Sequence, residues 1–210
     1  MNLGVRQFVR PNSPRLLLLV TLLAIAGWPG ASHAAKPRYV VYYNSDASPV
    51  HDLIGLPYTH VIFSFVTLDS KSDNRIALVV EPKLSAALQE VDRLKADGKK
   101  VLISFGGGDM TLEAYQTAVG KETELALKMA ELIERHDLDG VDLDYELTET
   151  LMSPPHSGTF DGRAFLINLT HALNERLPES AAITHAPQAP YLDPDWHQGP
   201  YLEILQQAGN

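Results

Sequence analysis

Apolar positions along this chain fall into two kinds of run, and the two alternate. The first kind is short and nearly continuous. Arg38-Tyr-Val-Val-Tyr-Tyr43, Thr59 to Thr67, Lys100 to Phe105 and Ala181 to Ala186 are β-rich stretches bounded by turn residues, and they predict strands. An apolar run without polar alternation suits a strand covered on both faces, as in a parallel sheet. The second kind is longer and periodic. From Pro82, apolar residues recur at Leu84, Ala87, Leu88, Val91 and Leu94, and Gly98 follows as a stop signal, which predicts a helix. Thr111 to His136 reads as mostly helical with an interruption near Gly120, its second half carrying Leu125, Met129, Leu132 and Ile133 on one face. Arg163 to Leu177 repeats the pattern with Phe165, Leu166, Leu169, Leu173 and Leu177, and Tyr201 to Ala208 begins another helix. Pro49 to Leu56 reads as a short helical connection, Asp69 to Asn74 and Thr148 to Thr159 as loops, and Pro187 to Gly199 as a longer one.

One strand breaks the apolar rule. Gly140 to Glu146 follows Asp139 and places Asp142, Asp144 and Glu146 on alternate positions, with Val141, Leu143 and Tyr145 between them. Alternate side chains of a strand point to opposite faces, so one face is carboxylate and the other apolar or aromatic. An antiparallel strand with one wet face would show the same alternation. A calcium loop of the EF-hand type fits poorly, because Val141 stands where its third acid belongs. The neighbouring elements shift the balance. Buried strands alternating with helices predict a parallel α/β sheet, in which neither face meets solvent. A (β/α) barrel accommodates the acids pointing inward near its C-terminal mouth, where such barrels carry their sites. A doubly wound open sheet is the alternative, but no glycine-rich phosphate loop follows the first strand, and Gly106-Gly107-Gly108 is not followed by Lys-Ser/Thr. Crowded carboxylates cannot all ionise, so such a row holds a proton to unusually high pH.

The first residues read differently. Arg6, Arg10 and Arg15 precede an apolar run from Leu16 to Gly27, Trp28-Pro29-Gly30 then breaks any helix, and Ser32-His33-Ala34 offers small residues at a cleavage site. Residues 1–34 are therefore expected to be a secretory signal, too short in its apolar run to span a membrane comfortably. Its removal takes away three Arg and no acid, moving the net charge from −9 to −12. Such an acidic protein is a poor partner for nucleic acid or, after signal cleavage, for an anionic membrane. The chain has no cysteine, which excludes disulfides, thiolate metal sites and a cysteine nucleophile. With 210 residues, one domain over residues 35–210 is expected.

Taken together, Asp139, Asp142, Asp144 and Glu146 at the fourth strand and Ser104, Gly106 and Gly107 at the end of the third resemble glycoside hydrolase family 18. That family comprises chitinases and endo-β-N-acetylglucosaminidases on a (β/α)8 TIM-type barrel. Its D-x-x-D-x-D-x-E signature and its S-x-G-G motif are both matched in order, and Ala186-Pro-Gln-Ala-Pro-Tyr191 looks like the A-P-Q segment of the class III chitinase branch. The resemblance implies a secreted enzyme that cuts β-1,4-linked N-acetylglucosamine polymers, chitin or chitooligosaccharides, with retention and with the substrate's own acetamido group as nucleophile. It implies Glu146 as general acid, Asp144 as the group that holds the acetamido and the oxazolinium charge, and Asp142 as a proton-sharing partner of Asp144. Asp139 is expected to be structural. Tyr42, Phe65, Gly106, Gly107, Gln188 and Tyr191 are the candidates for contact with the sugar, and Ser104 completes the motif. Tyr42 and Phe65 read more readily as core aromatics, and the glycines equally as a tight turn. No cofactor and no metal are implied. Action on N-glycan cores, or a non-catalytic chitin-binding or truncated chitinase-like protein, are the alternatives. The resemblance also implies that about five of the eight βα units are present, so the chain reads as the N-terminal part of a catalytic barrel.

Overall fold

The computed structural model describes residues 37–44, 48–71, 75–152, 155, 157–188, 191–193 and 201–207. The expected signal at 1–34 lies outside them. Five parallel strands form the frame: β1 (Val40–Asn44), β2 (His60–Leu68), β4 (Lys100–Gly106), β5 (Gly140–Asp144) and β6 (Ala182–His185), hydrogen-bonded in the order β1-β2-β4-β5-β6. Helices α1 (Pro82–Ala87), α2 (Val91–Ala96), α3 (Leu112–Gln116), α4 (Glu122–Arg135), α5 (Gly162–Arg176) and α6 (Tyr201–Gln207) fall between and after them. This is the βα alternation of a (β/α)8 barrel, over the first five of its units.

Burial explains the apolar runs. Val61, Phe63, Val101, Ile103 and Val141 are fully buried, as strands covered on both faces require. On α4, Leu125, Ala126, Met129, Leu132 and Ile133 form the inward stripe, and on α5 Phe165, Leu166, Leu169 and Leu173 do. The α5 N-terminus is held by the Asp161 side chain, which accepts from the Ala164 N–H at 3.0 Å. Gly120, at φ +76°, ends the turn between α3 and α4. Among the described residues, no helix is long and apolar enough to cross a membrane.

Three details differ from the sequence reading. The stretch after Pro82 is not one helix: a 3-10 turn at Leu88–Glu90 joins α1 to α2. Residues three apart eclipse in a 3-10 turn, which keeps Leu88 and Val91 on the same buried side. A short strand, β3 (Leu78–Val80), pairs antiparallel with the end of β2. The acidic strand is also shorter than its alternation suggests, ending at Asp144 rather than Glu146. Its last pair with β4 is Gly106↔Asp144, and its last with β6 is Leu143↔His185. Beyond these pairs the ladders on both sides stop, and neither Tyr145 nor Glu146 is paired in them.

Candidate active site

The site is built on the C-terminal end of β5, and its deepest member is Asp142. Its side chain is 1% exposed. Burial of a carboxylate is tolerable only with hydrogen bonds in place of water, and here strands on both sides supply them. Tyr42 of β1 donates its hydroxyl to Oδ2 at 2.9 Å, Ser104 of β4 donates to the same oxygen at 2.8 Å, and Thr184 of β6 donates to Oδ1 at 2.6 Å. Ser104 and Thr184 are the direct cross-strand partners of Asp142 in the two ladders. Both oxygens of Asp142 thus have protein donors, and sharing a proton with Asp144 must compete with them.

Asp144 is next along the strand and half-buried. Its carboxyl is pushed up from its ordinary value of 3.8 to about 6, mainly by burial, then by the charges of Glu146 and Asp142 and a hydrogen bond with Glu146. Burial and the neighbouring acids thus let Asp144 keep a proton to higher pH than an ordinary aspartate does. Glu146 lies past the end of the strand and is exposed. It borders the chain after β4: a Cβ built on Gly108 would stand 3.3 Å from Glu146 Oε2. Along β5 and just past its end the order is a buried acid with donors on both oxygens, a half-buried protonatable one, and an open one.

The apolar face of the strand is anchored beneath. Val141, Leu143 and Tyr145 are buried, and the Tyr145 ring packs against Tyr115 at 4.7 Å and Phe165 at 6.2 Å between centroids. Asp139 sits before the strand, where its carboxylate accepts from the Val101 N–H at 2.9 Å and from Lys100 Nζ at 2.6 Å. These bonds tie the start of β5 to the start of β4, away from the other acids.

The two motif glycines are held by protein contacts. Gly106, at φ +115°, passes so close to β5 that a Cβ would lie 2.1 Å from the Asp144 carbonyl oxygen. Gly107, at φ +87°, would place a Cβ 3.0 Å from the Phe65 ring, and its N–H donates to the Asp144 carbonyl at 2.8 Å. Phe65 is half-buried and lines a cleft of about 690 Å³ with Asn44, Gly108, Asp109, Glu81 and Met110. Tyr42 is 45% exposed, so its ring is open while its hydroxyl is committed. Burial first, and then the charge of Asp142, raise that phenol's pKa.

The two residues after β6 separate. Gln188 is exposed. Tyr191 is only 4% exposed, stacks on Tyr201 at 6.1 Å and donates to Thr148 Oγ1 at 3.0 Å. One face of its ring is covered by Tyr201. His185 is half-buried beside Thr170, and desolvation pushes it down to about 4, which leaves it neutral near pH 7. Thr184 and Tyr115 were not singled out by the sequence. Thr184 becomes visible only through the Asp142↔Thr184 register, and Tyr115 only through its position behind Gly106 and Asp144. Among the described residues, no group of three or more His, Cys, Asp or Glu is placed to hold a metal ion.

A family model described as glycosyl hydrolases family 18 matches residues 38–209. The chain is 31% identical over 137 residues to "Secreted chitinase LysM12" of Penicillium expansum, a match covering 60% of this chain and 9% of that protein. It is similar in structure to a GH18 chitinase from Pseudoalteromonas aurantia, with a TM-score of 0.72 and 33% identity over 82% of this chain and 64% of that one. A fungal endo-β-N-acetylglucosaminidase from glycosyl hydrolase family 18 shares the fold, with a TM-score of 0.58 and 21% identity over 83% of this chain and 63% of that one. The chain thus spans less than two thirds of the length of each of these relatives.

Proposed function

The chain belongs to glycosyl hydrolases family 18, and from that premise we propose that it supplies the acidic half of a chitinase site, cutting β-1,4-linked N-acetylglucosamine polymers with retention at the anomeric carbon. The observation that carries this reading is the graded row at the end of β5 and just past it, with Asp142 buried and bonded, Asp144 raised to about 6 by burial and its acidic neighbours, and Glu146 at the open end.

In the proposed reaction, Glu146 gives its proton to the glycosidic oxygen as the C1–O bond breaks. The carbonyl oxygen of the substrate's 2-acetamido group forms the new bond to C1. The positive charge this creates on the oxazolinium ring is held by Asp144, a negative group fixed in place before the reaction begins. The leaving sugar departs with the proton, and the Glu146 carboxylate then takes a proton from water as the water oxygen attacks C1 and the acetamido bond to C1 breaks. The net change is hydrolysis of one glycosidic bond, with the β configuration kept and Glu146 reprotonated. The cleft lined by Phe65 and bordered by Gly108 lies beside Glu146 and offers room for a saccharide chain. Export is part of the proposal. It is supported by the Arg-flanked apolar run before Ala34 and by the printed description of the Penicillium relative as secreted.

The test is the configuration of the first product released from an N-acetylchitooligosaccharide, followed by NMR before mutarotation. The β anomer is expected, together with strong discrimination against the de-N-acetylated oligomer, which lacks the internal nucleophile. An α anomer, or equal rates on both oligomers, would overturn the substrate-assisted route.

A further inference from the structure

We propose that Thr150 is a positioning residue for the proton donor: its one hydroxyl ties together Tyr145 and Leu147, the residues on either side of Glu146, and so fixes the segment that carries the acid past the end of β5. The inference rests on the catalytic reading of Glu146 given above.

The need for such a tie follows from the ladders. Their last pairs are Gly106↔Asp144 and Leu143↔His185, so neither neighbouring strand holds Glu146 in a ladder. The chain turns at once instead. The Thr148 N–H donates to the Glu146 carbonyl at 2.9 Å, and the Thr150 N–H donates to the Leu147 carbonyl at 3.1 Å. These bonds shape the 3-10 turn at Thr148–Thr150. They join residues two and three apart, so they do not fasten the turn to the rest of the fold.

The Thr150 side chain does. The residue is fully buried, and its Oγ1 donates to the Leu147 carbonyl at 2.8 Å. A threonine hydroxyl has a single proton. With that proton committed to Leu147, the contact between Tyr145 and Thr150 is one in which the phenol donates and Oγ1 accepts. Burial, first among the causes, holds the Tyr145 phenol above its usual range, so its proton is in place at neutral pH. The Tyr145 ring is itself anchored, 4.7 Å from the Tyr115 ring of α3 and 6.2 Å from the Phe165 ring of α5. Gly162, the first residue of α5, stands against the same hydroxyl pair. A Cβ there would lie 2.6 Å from the Tyr145 hydroxyl and nearer still to Thr150 Oγ1. The helix therefore closes over the bond, and the turn is joined through it to the core.

A general acid works only within hydrogen-bond reach of the oxygen it protonates. The cleft lined by Phe65, Asp109 and Met110 belongs to other elements. Loosening the turn should therefore lower the rate of the chemical step and leave substrate affinity in place.

The experiment compares the full chain with Thr150→Val, which keeps the shape and removes the hydroxyl, and with Thr150→Ser, which keeps the hydroxyl. Two things are measured: kcat and KM for an N-acetylchitooligosaccharide, and amide hydrogen exchange by NMR. With the hydroxyl gone, kcat is expected to fall by about 10- to 100-fold, the scale of a small misplacement of a reacting group, while KM changes little. Exchange at the Thr148 and Thr150 amides should quicken, while the Val101 and Asp139 amides at the far end of β5, bonded at 2.9 and 2.7 Å, keep their protection. Thr150→Ser should restore both readouts. Should Thr150→Val fail to fold, Tyr145→Phe removes the same bond from the other side and keeps the ring, and the same fall in kcat at constant KM is expected. An unchanged kcat in the valine or phenylalanine variant, an equal fall in the serine variant, or protection lost equally at Val101 and Asp139 overturns the positioning role. Glu146→Gln run alongside separates the two ideas. If it is inactive while the threonine series is flat, the positioning role fails and the catalytic reading stands. If Glu146→Gln hydrolyses at the wild-type rate, the catalytic reading fails, and the positioning role falls with it.

Discussion

The Tyr42 hydroxyl lies 2.9 Å from Oδ2 of Asp142, though the two residues are separated by 100 positions in the chain. The bond links the first strand to the fourth parallel one across the inside of the sheet, and it ends on a carboxylate that water does not reach. Tyr42→Phe removes one of three hydroxyl donors and leaves the ring in place. A buried acceptor that loses a donor costs about 1–3 kcal/mol, and with two donors remaining the lower end applies. Urea unfolding of the variant should show a loss of about 1 kcal/mol. An unchanged midpoint would mean that the Tyr42–Asp142 bond adds nothing to the folded state.

Asp144 gives a stability signature with a definite sign. Its carboxyl is raised from 3.8 to about 6 on folding, so the folded chain binds its proton more tightly than the unfolded chain does. Below pH 3.8 both states are protonated and the group contributes nothing. Between 3.8 and 6 a penalty grows, and above about 6 it is fully present. Asp144→Asn removes that penalty. It should stabilise the fold at pH 7 by roughly 1 kcal/mol, after allowance for solvent screening of a half-buried group, and have little effect at pH 3.5. Denaturant titrations at the two pH values check this, and equal effects at both would contradict the crowding of the row.

Gly106 and Gly120 both adopt positive φ, yet they predict different outcomes. A Cβ on Gly106 meets the Asp144 carbonyl oxygen at 2.1 Å, whereas one on Gly120 meets nothing within 4 Å. Gly120→Ala should cost only the conformational term, about 1–2 kcal/mol. Gly106→Ala has to displace β5 itself, and should cost about 3 kcal/mol or more and reduce soluble yield. Similar losses for the two variants in a chemical unfolding series would remove the close approach between β4 and β5 as the reason for glycine at 106.

The comparison between sequence and structure shows which kind of information each carries. Strands covered on both faces write themselves as apolar runs, and helices against a sheet as three-four stripes, so β2, β4 and α4 were legible before any coordinates. The three residues of β3 are too few to show a period. The end of β5 was misread because alternation continues in the sequence to Glu146, while a strand stops where its neighbours leave. Asp142, Asp144 and Glu146 stand out by type and spacing, and the structure places them in order along the end of β5 and just past it. Thr184, which donates to Asp142 Oδ1, does not stand out, because that contact lies in a register between positions 42 residues apart. Tyr191 is a candidate by residue type, while its burial against Tyr201 has no local pattern that signals the partner.

The central claim is that Glu146 at the open end of the row is the proton donor. It is tested most directly by the hydrolysis rate and binding affinity of an N-acetylchitooligosaccharide with the full chain and with Glu146→Gln. The amide keeps the size and polarity of the side chain but has no proton to give. The account predicts that turnover falls by about 10²–10⁴-fold while the oligosaccharide still binds. Turnover at the wild-type rate would contradict it.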